Sequence, residues 1–133
     1  MDSLPRRRAA AAAQGGRLAE DWAARLLQRR GWLLLERNWP CRWGELDLVL
    51  GKPRRLLLVE VKARRRAGPD GGGVAAFDPA KRRRLARAWG CWLAGHPQWG
   101  GCGVEVALAL VPLPVGRAPV RWLRVPDLPG PGP

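Results

Sequence analysis

The chain has 133 residues, enough for one domain with a buried core, and 47% of them are apolar. No apolar run approaches the roughly 18 residues of a membrane helix, so we expect a soluble, cytoplasmic protein without a membrane partner. The formal net charge is +13, and the basic residues are clustered rather than spread. Such an excess favours a polyanion, and nucleic acid fits better than a basic surface without a specific partner.

The apolar pattern predicts a mixed α/β domain over residues 16–125, with the element order α-β-β-β-α-β-β and helices packed on a sheet. Residues 1–15 are predicted to form a disordered basic arm, and residues 126–133 a flexible Pro/Gly tail. A first helix over 16–30 would place Glu20 in its first turns, where acids favour the helix dipole. A second helix is predicted from the Asp78–Pro79 cap to Gly95. Strands are predicted over 32–36, 44–50, 56–62, 104–111 and 119–125.

Two neighbouring strands alternate in polarity, and each has one wholly apolar face. These apolar faces carry Leu46, Leu48 and Leu50 on one strand and Leu57, Val59 and Val61 on the other. Joining them on one side of the sheet fixes the parity of the pairing. A four-residue loop over 52–55 then sets Val49 opposite Leu58, Asp47 opposite Glu60 and Glu45 opposite Lys62.

Two acids on neighbouring strands have Cβ atoms only about 4.5–5.5 Å apart, and their carboxylates repel unless a cation or a shared proton compensates. Mg²⁺ or Mn²⁺ is held by such oxygens together with phosphate and water. With Lys62 beside them, Asp47 and Glu60 form a phosphodiesterase arrangement. The alternative is a hairpin whose polar face meets solvent, and the residues alone do not decide between the two.

Lys81 is predicted on the helix face that points toward the sheet, near an anion or as a snorkelling side chain at the rim of the core. The candidates for DNA phosphate contacts are Arg64, Arg65, Arg66, Lys81 and Arg82. The Gly-rich segment 68–73 lacks a phosphate-loop ending and is interpreted as a flap or a connector. Trp39, Trp43 and Trp99 are predicted in loops, where they could stack on bases or contact a protein partner.

The ordered set of motifs resembles the YraN family of small bacterial proteins, of the PD-(D/E)xK superfamily, over about residues 15–111. The matching pieces are Gly16 and Glu20 with Ala23 and Leu27, Gly31-Trp32, Arg37-Asn38, Gly44-Glu45-Leu46-Asp47-Leu48, Val59-Glu60-Val61-Lys62-Ala63-Arg64, and Lys81. The resemblance implies a restriction-endonuclease-like fold, similar to Holliday-junction resolvases. It implies that Asp47 and Glu60 bind metal, that Lys62 assists the nucleophilic water, and that Glu20 completes the site. By the same analogy, a homodimer is expected.

The chain departs from the family where a late strand opens, with Gly103-Val104-Glu105 in place of the usual Arg-Phe-Asp. Two functions remain open. One is a metal-dependent DNA endonuclease, with branched or damaged DNA among its candidate substrates. The other is a non-catalytic nucleic-acid-binding protein that retains the nuclease fold.

Overall fold

The computed structural model describes residues 4–65, 78–126 and 128, with side chains from residue 14 onward. Its elements are α1 (Leu4–Arg29), β1 (Leu33–Cys41), β2 (Gly44–Lys52), β3 (Arg55–Arg64), α2 (Pro79–Gly95), a short 3-10 helix (Pro97–Trp99), β4 (Gly103–Pro112) and β5 (Arg121–Arg124). The predicted fold class and element order are confirmed. The Gly-rich segment 68–73, Arg66 and most of the predicted tail lie outside the described residues.

The five strands form one sheet in the order β1-β2-β3-β4-β5. β3 and β4 are parallel, and the other neighbouring strands are antiparallel. Parallel neighbours need a crossover connection, and α2 lies in the connection between β3 and β4. α2 is thus the helix that follows β3, and both elements carry predicted site residues: Lys62 lies near the carboxyl end of β3 and Lys81 in the first turn of α2.

Each face of the sheet is covered by one helix. α1 packs with Ala23 and Leu27 against the face that carries Leu48 and Val59, and these buried side chains form the α1 cluster. α2 packs against the opposite face. The buried side chains there form the α2 cluster, which includes Val49, Leu58, Leu85, Trp89, Trp92 and Leu108. The alternative of a hairpin whose polar face meets solvent is wrong for Glu60, which is buried on this face, whereas Glu45 is exposed.

The first helix begins at Leu4 rather than at residue 16. Residues 4–15, predicted as part of a disordered arm, are helical instead. Alanine is the strongest helix former, and Pro5 occupies the first turn, where its missing N–H costs nothing. Neither α1 nor α2, the α-helices in the described part of the chain, has the combined length and apolarity of a membrane-spanning segment.

The β1–β2 hairpin is longer and less regular than predicted. β1 continues to Cys41, so Trp39 lies in a strand rather than in a loop. Asn38 has a φ of 50°, and the pairs on either side of it, Arg37 with Leu48 and Trp39 with Leu46, pass over Asn38 and Asp47. The alternation of side chains between the two faces fails there. Leu46 packs in the α2 cluster and Leu48 on the α1 side, so the prediction that they share one face is wrong.

The departure at the start of β4 lies at the far end of the sheet from the predicted site. Gly103 pairs with Arg55, the first residue of β3, whereas Glu60 pairs with Leu108 further along. Glu105 accepts hydrogen bonds from Arg55 at 2.7 and 3.1 Å. In this chain the start of β4 thus carries an exposed ion pair between Arg55 and Glu105.

Candidate active site

The β2–β3 pairing sets the positions of the two predicted metal ligands. Val49 pairs with Leu58 as predicted, although the loop has two residues instead of four, because Lys52 pairs directly with Arg55. The ladder ends at the pair Leu48 and Val59, and Asp47 and Glu60 are the residues that follow it on the two strands, close enough for their carboxyl groups to interact. Beyond that pair, the Asp47 carboxylate accepts a hydrogen bond from the Val61 N–H at 2.8 Å. Asp47 is thus fixed to the strand that carries Glu60 and Lys62.

Glu60 is a charged residue in a buried position, with 8% of its surface exposed. One oxygen of its carboxyl, Oε1, has no hydrogen-bond partner. Burial, together with the neighbouring Asp47 carboxylate, raises the pKa of Glu60 to about 9, and the nearby Lys81 ammonium opposes that rise. The ionised form is therefore unfavourable in the isolated protein, and a cation at Oε1 would reverse that preference.

Lys62 and Lys81 lie side by side next to the two acids. The first turn of α2 positions Lys81, whose backbone N–H donates to the capping carboxylate of Asp78 at 2.9 Å. Contact with the Lys81 side chain and partial burial lower the pKa of the Lys62 ammonium, while Asp47 opposes that change. Lys81 points toward the sheet as predicted, and two adjacent amines at one site favour an anionic ligand.

Glu20 approaches Asp47 from α1. Its side chain is only 15% exposed, and burial followed by the charge of Asp47 raises its pKa. The helix-dipole interpretation of Glu20 is wrong, because α1 begins at Leu4 and Glu20 lies well inside the helix. Arg37 and Asn38 oppose the rise, since Asn38 hydrogen-bonds the Glu20 carboxyl and the Arg37 guanidinium lies 3.9 Å from it.

The contribution of Arg37 and Asn38 was missed by the sequence reasoning, which noted the pair only as part of a family motif. Their side chains reach Glu20 from β1, the edge strand, and Arg37 also pairs with Asp21. Hydrophobic periodicity contains no signal for such a contact. The left-handed backbone of Asn38 is a conformation that asparagine tolerates better than most residues, and this is the one local hint in the sequence.

The three acids do not all meet at one point. Within the described residues, no group of three or more His, Cys, Asp or Glu side chains lies close enough together to hold a metal ion. Asp47 raises the pKa of both Glu20 and Glu60, so it lies between an acid from the α1 side and one on the α2 side. The structure thus brings Asp47, Glu60, Lys62 and Lys81 together, with Glu20 at the edge of the group.

An open cleft of about 290 Å³ adjoins Glu60 between the β1–β2 turn and α2. Its polar lining consists of Glu45, Glu60, Lys81 and Arg84. Its apolar lining consists of Trp43 with Leu85 and Ala88, next to Gly44. The guanidinium groups of Arg42 and Arg87 lie over the Trp43 ring, 4.6 and 4.5 Å from its centroid.

The remaining basic residues predicted to contact DNA do not lie at one place. Arg82 is half-buried beside Lys81, and Arg64 is half-buried at the end of β3. Arg65 lines a separate groove with Leu18 and Leu113, away from the cleft. Arg66 lies outside the described residues. Arg83, Arg84 and Arg87 form an exposed row on α2 that continues from the cleft.

The fold and the site define a class of protein. It is a mixed α/β domain with a carboxylate pair and two lysines next to the end of the β2–β3 ladder. The model described as "Uncharacterised protein family UPF0102" matches residues 19–111, and the chain belongs to this family, which is the YraN family of the resemblance. The match spans the residues that build the site, from Glu20 to the first turns of α2.

Proteins of two cyanobacteria and a mycobacterium are similar to this chain. A UPF0102 protein of Synechococcus sp. (strain CC9902) is 56% identical over 115 residues, covering 86% of this chain and 94% of its own length. One of Prochlorococcus marinus (strain MIT 9303) is 54% identical over 109 residues, covering 82% and 86%. One of Mycobacterium sp. (strain JLS) is 45% identical over 94 residues, covering 68% and 69%.

Proposed function

We propose that this protein is a metal-dependent DNA endonuclease of the cytoplasm, which uses Mg²⁺ or Mn²⁺ held by Asp47 and Glu60. One observation carries the proposal. The buried carboxyl of Glu60 lies beside Asp47, and its Oε1 has no hydrogen-bond partner. A buried carboxyl oxygen without a hydrogen bond is costly, and such groups persist where they serve a ligand or a reaction.

The donor set fits a hard divalent cation. Mg²⁺ takes oxygen ligands and is commonly held by one or two carboxylates, with water and substrate phosphate completing its coordination. Asp47 and Glu60 supply those two carboxylates, and phosphate and water would complete the coordination. A bound ion would lower the pKa of a water molecule that it holds and would neutralise negative charge on the phosphate.

The chain's own residues would bind and orient the phosphodiester. The ammonium groups of Lys62 and Lys81 attract the phosphate oxygens and stabilise the negative charge that develops during hydrolysis. The neighbouring Lys81 side chain and partial burial lower the pKa of Lys62, which is the direction that a proton acceptor for the attacking water needs. Asp47, held by the Val61 N–H, keeps its carboxylate oriented between these groups.

The net charge of +13 and the exposed arginine row on α2 support a nucleic acid substrate. Arginines in such rows contact backbone phosphates without reading sequence. A non-catalytic binding protein would need the same basic surface. It would give no reason for a buried carboxyl beside a second acid and two lysines, so the endonuclease accounts for more of the site.

The test is a cleavage assay with Mg²⁺ and with Mn²⁺ on duplex, nicked, branched and single-stranded DNA. Wild type should cleave at least one of these, and Asp47→Asn and Glu60→Gln should lose cleavage by about 100-fold or more while they still bind DNA. Glu105→Gln is the matched control, because it removes a carboxylate at the far end of the sheet, and it should cleave like wild type. Undiminished cleavage by Asp47→Asn would refute the proposal.

A further inference from the structure

We infer that the cleft beside Glu60 binds one unpaired nucleotide of the substrate strand, with its base stacked on Trp43. The inference rests on the proposed function and names its substrate class: DNA with an unpaired stretch, such as a single strand or a flap. It assigns a role to Trp43, the one residue among Trp39, Trp43 and Trp99 that lines this cleft.

The lining of the cleft suits a base better than a phosphate alone. A phosphate site needs cations and N–H donors. This cleft has the cations of Lys81 and Arg84, and it adds the indole of Trp43 and the apolar side chains of Leu85 and Ala88, which a phosphate would not need. A nucleobase has apolar faces and a polar edge. Its faces fit the aromatic and apolar walls, and the carboxylate of Glu45 can accept from an exocyclic amine on its edge.

The turn between β1 and β2 holds Trp43 at the mouth of the cleft. Gly44 has a φ of +122°, in the region that side chains disfavour, and a Cβ added there would meet open space. The glycine is therefore required by the backbone turn and not by crowding. The backbone N–H of Trp43 donates a hydrogen bond to the Cys41 sulfur, with a nitrogen–sulfur distance of 3.4 Å. This bond holds the backbone of Trp43 in the turn.

Two guanidinium groups lie over this aromatic ring, so a base bound at Trp43 would stack on arginine planes as well as on the indole. Those of Arg42 and Arg87 lie within 4.6 Å of the Trp43 ring centroid. Arginine planes and aromatic rings are the surfaces on which single-stranded bases stack. Arg84, at the cleft, and Arg83 continue along α2 as an exposed basic row that suits the phosphates of the neighbouring nucleotides.

The occupant must be unpaired. A base in a duplex is stacked and hydrogen-bonded to its partner, and it must leave the stack before it can enter a cleft. An unpaired base enters without that cost, so the cleft would select flaps, ends and single strands over blunt duplex. Because Glu60 lines the same cleft, a base held there sets the neighbouring phosphodiester beside the carboxylate pair.

The experiment compares three variants without metal, so that cleavage plays no part. Trp43→Phe keeps an aromatic face, Trp43→Leu keeps an apolar side chain, and Trp122→Leu removes a 40%-exposed tryptophan. Trp122 pairs with Ala109, whose side chain packs in the α1 cluster, so it serves as the control on the opposite face. Fluorescence anisotropy measures the affinity of the full chain for a labelled single-stranded oligodeoxynucleotide and for the blunt duplex of the same sequence.

Wild type should prefer the single strand. Trp43→Leu should bind the single strand about tenfold more weakly, within the range for one lost base stack, and should bind duplex within twofold of wild type. Trp43→Phe and Trp122→Leu should keep the preference. The inference is overturned if Trp43→Leu weakens both ligands equally, if it changes neither, or if single-stranded RNA is preferred to DNA with the same Trp43 dependence.

Thermal melts of each variant identify misfolding, because Trp43 also packs against the α2 cluster. If Trp43→Leu melts early, the decision rests on Trp43→Phe and on 2-aminopurine fluorescence: an oligonucleotide carrying this base should be quenched by wild type and less by Trp43→Phe. Absence of quenching by wild type contradicts the inference. A Trp43-dependent preference without cleavage in either Mg²⁺ or Mn²⁺ retains the inference and refutes the endonuclease, whereas cleavage without that preference does the reverse.

Discussion

The carboxylate of Asp47 accepts the backbone N–H of Val61, the residue between Glu60 and Lys62, at 2.8 Å. This contact continues the junction of β2 and β3 one step past the last ladder pair, Leu48 with Val59. A side chain thus does what a strand carbonyl does elsewhere in the sheet. The hydrogen bond couples the position of one acid to the two residues on which the proposed chemistry depends.

The contact predicts different stabilities for two substitutions of Asp47. Asp47→Asn keeps an oxygen acceptor for the Val61 N–H, whereas Asp47→Ala leaves that donor without its partner. A donor left unsatisfied costs about 1–3 kcal/mol. Urea denaturation should therefore show Asp47→Ala to be less stable than Asp47→Asn by about that amount. Equal stabilities would mean that the hydrogen bond does not hold the strands together in solution.

Glu60 makes the stability of the metal-free protein depend on pH. Its folded-state pKa of about 9 lies above the ordinary value of 4.5, so between these values the folded state holds a proton that the unfolded chain has released. Stability from this group is fully present below about pH 4.5 and is lost as pH rises toward 9, by at most about 1.4 kcal/mol per pH unit.

Glu60→Gln removes that dependence, because the amide does not titrate. Thermal melts in EDTA should show wild type losing stability relative to Glu60→Gln as pH rises from 5 to 8. The mutant should be the more stable of the two at pH 8. A difference that stays constant across this range would contradict the raised pKa of Glu60.

Lys81 should control the protonation of Lys62. Contact with the Lys81 side chain is the largest cause of the lowered pKa of Lys62, so Lys81→Met should raise that pKa toward its ordinary value. Carbon-13 NMR of dimethylated lysines measures the change directly. Lys52→Met, at the other end of β2, is the control and should leave Lys62 unaltered. An unchanged Lys62 pKa in Lys81→Met would exclude the side-by-side arrangement of the two amines.

The exposed arginines on α2 should set the salt dependence of DNA binding. Each phosphate contact contributes about one unit to the slope of log affinity against log salt. Arg84→Ala should therefore lower the slope by about one. Arg55→Ala, which removes the same charge beside Glu105, should leave the slope as in wild type. Equal effects of the two substitutions would indicate a general response to net charge and no defined DNA path along α2.

The element order and the proximity of Asp47 to Glu60 could be predicted from the sequence, because strand alternation and the demand for a core leave one parity for the β2–β3 hairpin. The position of Lys81 could also be predicted, because helical spacing places it on the face of α2 that must pack against the sheet. Leu46 was assigned to the wrong face, because a single left-handed residue, Asn38 on the adjacent strand, accompanies a break in regular alternation.

Other parts of the site depend on contacts that no local pattern encodes. The alanine-rich start of α1 has no apolar stripe, so its helical propensity was not recognised, and Glu20 was assigned to a first turn. The approach of Arg37 to Glu20 depends on how α1 lies across β1, a long-range packing arrangement. The cleft between the Trp43 turn and α2 is likewise a product of packing, although each of its residues is visible in the sequence.

The most direct test of the metal site is calorimetry of Mg²⁺ and Mn²⁺ binding to wild type and to Asp47→Asn, each with and without a short DNA duplex. The account predicts that wild type binds metal, more tightly with DNA present, and that Asp47→Asn does not. It also predicts that binding to wild type releases a proton, seen as a dependence of the heat on the buffer's ionisation enthalpy, because Glu60 must ionise to bind metal. No metal binding by wild type even with DNA present would contradict the account and leave a basic domain with an acidic pair that serves no ion.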